Sequence, residues 1–222
     1  GTVTFACDGT ILLANTITNA ADVVLDGSGH HVTISGGDSV RVFCVPTNVS
    51  LGAINLTISQ GAGRMGGGIL NLGGKVCLDR VLLQANTATF QTGTGDTSSA
   101  AGGGIFNQGG TIKATNCVFT GNKAQQQGYG SLTRTRGGAL CNEGGEVCLL
   151  GCLFNSNSAV GGAGPSGHSH EGSGGAVANS GTLEANLCTF FANSVAGGAG
   201  YGGGEGGDGN GGAVCNLGIL DL

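Results

Sequence analysis

Short stretches in which every second residue is apolar recur along the whole chain. One such series has apolar residues at Ile105, Ile112, Ala114, Cys117 and Phe119. Alternation by two predicts β-strands, because an amphipathic helix would place its apolar residues three or four positions apart. Gly or Asn bounds each stretch, so the pattern predicts strands of three to five residues that are separated by bends.

The strand pattern repeats with a period of about 36 residues. Each unit begins at a Gly-Gly pair, and the successive starts are Gly66, Gly102, Gly137, Gly174 and Gly211. Periods of 20–50 residues indicate solenoids, propellers or other arrays. Each unit has roughly 23 patterned residues before a Gly-rich segment, too few for the four full strands of a propeller blade. About three short strands per unit do fit, so we predict an all-β fold in which the chain winds as a single-stranded parallel β-helix, or β-solenoid.

Aligned units predict columns of equivalent residues stacked about 4.8 Å apart. Three columns are apolar and should form a continuous core. They consist of Ile69, Ile105, Leu140, Val177 and Val214; of Val76, Ile112, Val147 and Leu183; and of Leu83, Phe119, Phe154 and Phe190. A fourth column consists of Val81, Cys117, Cys152 and Cys188. Cysteine at such a position behaves as a small hydrophobic residue.

Two further columns consist of asparagine alone. They are Asn71, Asn107, Asn142, Asn179 and Asn216, and Asn86, Asn122, Asn157 and Asn193. Asparagine tolerates the left-handed conformation that a sharp bend requires. Its amide can also bond to the same residue one coil away, so we expect two structural hydrogen-bonded ladders. Ala88, Ala124, Ala159 and Ala196 are expected to close each unit at a bend.

Residues 1–65 lack the Gly-Gly signature but keep the alternation, as in Val32 and Ile34. We expect two or three irregular coils here, forming an N-terminal cap or lead-in to repeats that occupy residues 66–222. Terminal repeats of solenoids are generally atypical. His30 and His31 fall in a predicted turn of this segment, with no acid–nucleophile pattern nearby.

Composition narrows the class of protein. Glycine accounts for 49 of the 222 residues and proline for only 2, which excludes collagen. Leu, Ile, Val and Phe make up about a quarter of the chain, enough to form a core. A net charge of −5 with 8 Lys and Arg argues against nucleic acid as a partner. No apolar run approaches the roughly 20 residues of a membrane helix, so we expect no membrane insertion of this segment.

The repeats resemble those of polymorphic outer-membrane proteins and related autotransporter passengers. These families share Gly-Gly-Ala followed by an aliphatic residue, and Phe-x-x-Asn. The first motif matches at 137–140, 174–177 and 211–214, and the second at 119–122, 154–157 and 190–193. The resemblance implies a right-handed β-helix, a location that is secreted or on the bacterial cell surface, and often adhesion.

Candidate catalytic groups are sparse. Asp79, Glu146 and Glu184 fall in three different columns, and we expect no column to carry two acids. Glycoside hydrolysis needs paired carboxylates, so no catalytic residue is assigned. His168, His170 and Glu171 lie in a Gly-rich segment, a weak metal motif; we expect a solvated loop, with no metal or cofactor.

Nine cysteines leave at least one without an internal partner. Cys77 and Cys148 face outward two coils apart, as do Cys141 and Cys215, which exceeds disulfide reach. The inward cysteines are expected to stay free thiols. Cys7 and Cys44, in the lead-in, are the best candidates for a disulfide.

The Gly-rich segments 89–101, 125–136, 160–173 and 197–210 follow the same bend in every unit. We therefore expect a row of loops on one side, which is often the binding side of a solenoid. Tyr and Arg are good contact residues. The candidate binding residues in these loops are Tyr129, Arg134, Arg136, His168, His170 and Tyr201.

These features favour a non-enzymatic adhesin-like or passenger-like segment, whose loops bind an unknown protein or glycan on a surface. One alternative is a polysaccharide-active, pectate-lyase-like enzyme or its fragment. Another is a structural scaffold that assembles end to end, because open strand edges invite pairing. An ice-binding function is disfavoured, since the Thr-x-Thr sequences at 2–4 and 16–18 do not continue through the repeats.

Overall fold

The architecture comes from a computed structural model, which describes residues 1–91, 99–127, 134–163, 170–200 and 205–221. Thirty strands and no helix occupy these residues. Every strand pairing is parallel, and each strand pairs with its counterpart one coil earlier or later. The predicted all-β parallel β-helix is therefore confirmed, together with its irregular lead-in coils.

The lead-in coils have short strands and uneven lengths. The first coil contains β1 (Thr2–Thr4), β2 (Gly9–Leu12) and β3 (Ile17–Thr18). The second contains β4 (Val23–Asp26), β5 (Val32–Ser35) and β6 (Phe43–Val45). The third contains β7 (Ser50–Ile54), β8 (Thr57–Ser59), β9 (Ala62–Gly63) and β10 (Ile69–Leu72).

The repeat coils follow with a more regular layout. The fourth coil contains β11 (Lys75–Asp79), β12 (Leu82–Gln84), β13 (Thr87–Gln91) and β14 (Ile105–Gln108). The fifth contains β15 (Thr111–Thr115), β16 (Val118–Thr120), β17 (Lys123–Gln127), β18 (Arg134–Arg136) and β19 (Leu140–Glu143). The sixth contains β20 (Glu146–Leu150), β21 (Leu153–Asn155), β22 (Ser158–Val160), β23 (Glu171–Ser173) and β24 (Val177–Asn179). The seventh contains β25 (Thr182–Asn186), β26 (Thr189–Phe191), β27 (Ser194–Ala196), β28 (Gly209–Asn210) and β29 (Val214–Asn216), and β30 (Ile219–Asp221) follows it.

Three main sheets and two side sheets result from this winding. Sheet 1 consists of β1, β4, β7, β11, β15, β20, β25 and β30. Sheet 2 consists of β2, β5, β8, β12, β16, β21 and β26. Sheet 3 consists of β3, β6, β10, β14, β19, β24 and β29. Along each repeat coil, side sheet 4 (β9, β13, β17, β22, β27) and side sheet 5 (β18, β23, β28) lie between sheets 2 and 3. Apart from β9, which joins side sheet 4, the lead-in strands pair within the same main sheets as the repeats.

The prediction of three strands per unit was wrong, because each repeat coil has a fourth strand and the later coils have a fifth. The fourth strand starts immediately after the second asparagine ladder, where the sequence suggested a bend. Its register also corrects the alanine column: Ala159 pairs with Val195 rather than with Ala196. The side sheets therefore extend the ladder of hydrogen bonds into segments that composition alone assigned to loops.

The main core lies inside the coils and consists of the predicted columns. The strand register aligns all three apolar columns as expected, and nearly all their members are fully buried. Phe119 and Phe154 stack with ring centroids 4.5 Å apart and planes 4° from parallel, and Phe190 continues the stack 4.9 Å further on. In-register parallel pairing makes identical side chains pack on one another, so one residue type can fill a whole column.

A second apolar cluster lies outside the coil, on the outward side of sheet 3. It contains Leu70, Phe106, Cys141 and Ala178, with Ala101 packed against them. Ala101 belongs to the chain returning from the side sheets, and it bridges to Met65 and Arg136. Cys141, predicted to face outward, is consequently 1% exposed.

Both asparagine ladders are confirmed. In the first, each Nδ2 donates to the Oδ1 of the next asparagine over 2.6–2.8 Å, and the same amide also bonds to a glycine carbonyl of its own turn. In the second, Nδ2 of Asn122 donates to Oδ1 of Asn157 and to the Leu83 carbonyl. Its Oδ1 accepts from both the backbone N–H and the Nδ2 of Asn86. Asn122 is fully buried, so these bonds satisfy polar groups that water cannot reach.

The left-handed bends do not lie at the ladder asparagines, contrary to the sequence-based expectation. At the second ladder the residue before each asparagine has positive φ: Ala85 (52°), Gly121 (61°), Ser156 (55°) and Ala192 (52°). The corner between sheets 1 and 2 holds Asn55, Arg80, Asn116, Gly151 and Leu187, all also at positive φ. Side chains other than glycine adopt this conformation at a cost of roughly 1–2 kcal/mol. The coil geometry therefore imposes these bends on whatever residue occupies the position.

Replacing Asn122 by Ala should lower the free energy of unfolding by about 3 kcal/mol. The substitution leaves the buried Leu83 carbonyl and the backbone N–H of Asn86 without partners, and Nδ2 of Asn86 keeps only its bond to the Ile58 carbonyl. Urea denaturation measures the loss. The exposed Asn186, whose amide contacts Glu184, provides the control Asn186→Ala, which should change stability by less than about 0.5 kcal/mol. Equal losses of unfolding free energy in the two variants would contradict a stabilising role of the ladder.

Replacing Gly121 by Ala should destabilise the protein by about 1 kcal/mol through backbone strain alone. Gly121 has φ of 61°, and a Cβ there would meet no atom within 4 Å, so no steric clash contributes. Gly212 is also exposed, has no positive φ, and would place its Cβ at an ordinary contact distance from the Asn193 carbonyl oxygen. Gly212→Ala should therefore leave the urea midpoint nearly unchanged, and a similar shift in both variants would refute the assignment.

Candidate functional site

The side sheets form the base from which the Gly-rich segments leave the coil. The chain leaves sheet 4 at the ends of β13, β17, β22 and β27. It returns in register at sheet 5, or at the bridges that join Met65, Ala101 and Arg136. Residues 92–98, 128–133, 164–169 and 201–204, which connect these strands, lie outside the described residues. Their points of attachment stack one coil apart on a single side of the β-helix.

Arg134 and Arg136, two predicted binding residues, lie in this base rather than in a loop. Nε of Arg134 is 2.9 Å from Oε2 of Glu171, its direct neighbour in the adjacent strand. Arg136 pairs with Glu143, at the end of β19. Both cations are therefore engaged with acids of the protein, and both help to fix the returning strand against the coil.

His170 is fully buried at the same base, in contrast to the expected solvated loop. Its backbone carbonyl accepts from the N–H of Gly198, and Gly161 and Gly207 pack so closely against it that neither has room for a Cβ. The buried ring is therefore not available to a partner at the surface. The other predicted contact residues, Tyr129, His168 and Tyr201, lie outside the described residues.

All nine cysteines fall in described residues and all are free thiols. The predicted disulfide between Cys7 and Cys44 is accordingly not formed. Cys117, Cys152 and Cys188 stack in one column as expected, and the first two are buried in the core. The hydrogen bond that the Cys152 thiol donates to Cys117 raises the pKa of Cys152 to about 11, and burial raises the pKa of Cys141 to about 12. Both thiols are thus held in their unreactive protonated form.

The expectation that no column carries two acids was wrong. Glu184 of β25 is in register with Asp221 of β30, one coil apart on the exposed outward side of sheet 1. The lead-in also places Asp26 in the same column as Asp79, with Ile54 between them. The columns predicted from the repeats included neither Asp221 nor the lead-in strands, and therefore the sequence pattern did not reveal either pair of acids.

A groove of about 550 Å³ lies at the corner where sheet 1 turns into sheet 2, across coils two to four. In most coils this corner has two residues, such as Asn55 and Leu56 between β7 and β8. In the second coil it has five, residues 27–31, which extend beyond the corners that follow. The step from a long corner to short ones creates the concavity. Its floor is one outward column of sheet 2, formed by Thr33, Thr57 and Leu82.

Polar side chains from successive coils form a hydrogen-bonded chain along one wall of this groove. Nδ2 of Asn55 donates to Oγ of Ser28 over 2.5 Å, and Nε of Arg80 donates to Oδ1 of Asn55 over 2.7 Å. The guanidinium of Arg80 also lies 2.8 Å from the carboxylate of Asp79. These contacts hold three lining side chains in defined positions before any ligand arrives.

His30 and His31 line the same groove, and an acid does lie beside them. Nδ1 of His30 is 3.1 Å from Oδ1 of Asp8, which also accepts from the backbone N–H of His31 over 2.9 Å. These hydrogen bonds, that from His31 foremost, lower the pKa of Asp8 below its usual value. A carboxylate in this position orients the imidazole ring and determines which of the two ring nitrogens faces the carboxylate. Asp8 is one coil away and 22 positions earlier, so inspection of neighbouring residues could not find it.

Comparison of the chain with models of protein families, with curated proteins and with solved structures gives no match in any of the three. Within the described ranges there is no helix long and apolar enough to cross a membrane. The same residues contain no group of three or more His, Cys, Asp or Glu side chains arranged to bind a metal ion. The fold and the geometry of the surface therefore have to support any functional proposal.

Thiol labelling should separate the cysteines by burial. In the native protein, exposed Cys7 should react with a thiol reagent at pH 8 about a hundredfold faster than Cys141 or Cys152, whose raised pKa values and burial suppress the thiolate. Peptide mass spectrometry identifies the labelled sites. In denaturant under non-reducing conditions, all nine cysteines should react. A native rate for Cys141 close to that of Cys7 would contradict the second apolar cluster.

Proposed function

We propose that this protein is a non-enzymatic, secreted or surface-exposed β-helix segment that displays its four Gly-rich insertions to a protein or glycan partner. The observation that carries the proposal is the common base of these insertions. Each connects a strand of sheet 4 to sheet 5 or to its bridge residues, and these attachment points are in register with those of the next coil. Regularly spaced attachment points on one side favour presentation of a continuous binding surface.

The bonding around the base supports a rigid platform for display. The second asparagine ladder runs directly below sheet 4, and each of its amides bonds to its neighbour. The apolar cluster outside sheet 3 packs the returning chain against the coil. A rigid platform lowers the entropy lost when a partner binds, because fewer backbone conformations have to be ordered.

The chemistry of the repeats is compatible with this passenger-like role. The likeness of the motifs to those of autotransporter passengers supports a bacterial cell-surface location and an adhesin-like activity. Half of the buried polar residues in the described ranges are ladder asparagines, whose amides bond from coil to coil, which is typical of a structural repeat.

A polysaccharide-active enzyme remains the second candidate, favoured by one observation. Glu184 and Asp221 are adjacent in a column, at a spacing of about 4.8 Å between parallel strands. Retaining glycosidases place two carboxyl groups roughly 5–5.5 Å apart. Both acids are exposed on an outward sheet surface, whereas catalysis requires a site that surrounds the reacting bond.

Shortening the insertions should abolish partner binding without unfolding the β-helix. In the test variant, Gly-Ser linkers replace residues 92–98, 128–133, 164–169 and 201–204. We expect binding to at least one member of an array of immobilised glycans and purified extracellular-matrix proteins to fall at least about tenfold, since the contact residues are removed. Circular dichroism and the urea midpoint check that the coil remains intact.

A matched control changes the outward side of sheet 1, where Lys113→Ala should leave binding to the array unchanged. Undiminished binding of every array member by the shortened variant, or binding of no member by either protein, contradicts the display proposal. A polysaccharide panel with reducing-end detection tests the second candidate. Turnover that is lost in Glu184→Gln would replace the proposal with an enzymatic function.

A further inference from the structure

We propose that the corner groove between sheets 1 and 2 is a binding site for a neutral oligosaccharide, separate from the insertions on the side sheets. The site consists of the lining side chains Ser28, His30, Asn55, Arg80 and Thr57. They come from three consecutive coils, so the groove crosses the strands and extends along the axis of the β-helix.

The volume of the groove suits a ligand of a few sugar rings. Its roughly 550 Å³ falls in the range of 300–1,000 Å³ that is typical of small-molecule sites. Successive lining residues are one coil apart, or about 4.8 Å. A linear oligosaccharide placed along the axis would therefore meet one set of polar groups from each coil.

The lining groups include both hydrogen-bond donors and hydrogen-bond acceptors, and a sugar hydroxyl can use both. The Arg80 guanidinium only donates, the Asn55 amide does both, and Ser28, Thr57 and the His30 ring can each do either. A sugar hydroxyl is itself one donor and an acceptor. Because Asn55 already holds Ser28 and Arg80 in place, little side-chain entropy would be lost on binding.

The charge arrangement favours a neutral ligand over an ionic one. The one guanidinium in the lining is matched by Asp79 at 2.8 Å, and His30 is matched by Asp8 at 3.1 Å. The Asp26 carboxylate lies beneath the same turn, where it accepts from the N–H of Ser28. An anionic ligand would lie close to these carboxylates and be repelled by them. A cationic ligand would have to compete with Arg80 for the Asp79 carboxylate.

The groove lacks the features by which peptides are usually recognised. A peptide strand needs a free sheet edge, whereas the strands below the groove already bond to both neighbours in sheet 2. Proline-rich segments dock against Trp, Tyr or Phe side chains, and the groove lining contains none of these three. Acidic or phosphorylated motifs require clusters of Arg, whereas a single paired Arg lies here.

Isothermal titration with cellohexaose, xylohexaose and chitohexaose, compared with hexagalacturonate, tests the inference. We expect at least one neutral oligosaccharide to bind, with amide chemical-shift changes at residues 28–31, 55 and 80. Arg80→Ala should weaken binding about tenfold, as expected for loss of a charge-assisted hydrogen bond. Thr57→Phe should block the floor and abolish binding, while binding should persist when the four insertions are shortened.

The chain offers matched controls for both substitutions. Asn116 occupies the same left-handed corner column beyond the groove, and Thr189 the same outward column of sheet 2 as Thr57. Asn116→Ala and Thr189→Phe should keep the affinity within about twofold of the wild type. The inference is overturned if no neutral oligosaccharide binds, if Thr57→Phe binds normally, if hexagalacturonate binds more tightly, or if the shifts map outside the groove. Loss of binding on shortening the insertions would transfer the glycan site to the side sheets and likewise overturn it.

Discussion

In-register parallel pairing between successive coils is the constraint on which the rest of this structure depends. Each strand bonds to the equivalent strand of the next coil, so equivalent residues share one environment along the whole molecule. A shift of one residue would exchange inward and outward side chains and disconnect both ladders. The register therefore has to be fixed in every coil, and the buried asparagines fix it because their amides bond only when aligned.

The same constraint explains how much the sequence could predict. The Gly-Gly pairs and asparagines align the repeats, so the apolar columns and ladders follow directly from spacing. Gly102 illustrates the chemistry: at φ of 61° it passes so close to the Ile105 carbonyl that a Cβ has no room. Such a position accepts only glycine, and it therefore leaves a periodic signal.

Structural features that several residue types can adopt leave no periodic signal in the sequence. Ala, Gly and Ser occupy the left-handed bend before the second ladder, so no residue pattern identified its position. The sequence-based prediction therefore placed the bend at the adjacent asparagine. The fourth strand was missed because its residues lie in compositionally Gly-rich or polar sequence, although its backbone pairs regularly. The contact between Asp8 and His30 depends on a lead-in coil shorter than the repeats, for which no alignment was evident.

Departures from the repeat, rather than the repeat itself, produce the surfaces with binding potential. Identical coils stack into flat ladders, and a flat ladder encloses no ligand. The insertions between sheets 4 and 5 add chain to a coil, and the five-residue corner at 27–31 widens one coil relative to the next. At both places the regular strand register of the coils supplies rigidity, and at the corner the extra residues 27–31 line the groove. The asparagine ladders and stacked phenylalanines thus bear on function indirectly, since they hold adjacent coils in the alignment that lets Ser28, Asn55 and Arg80 contact one another.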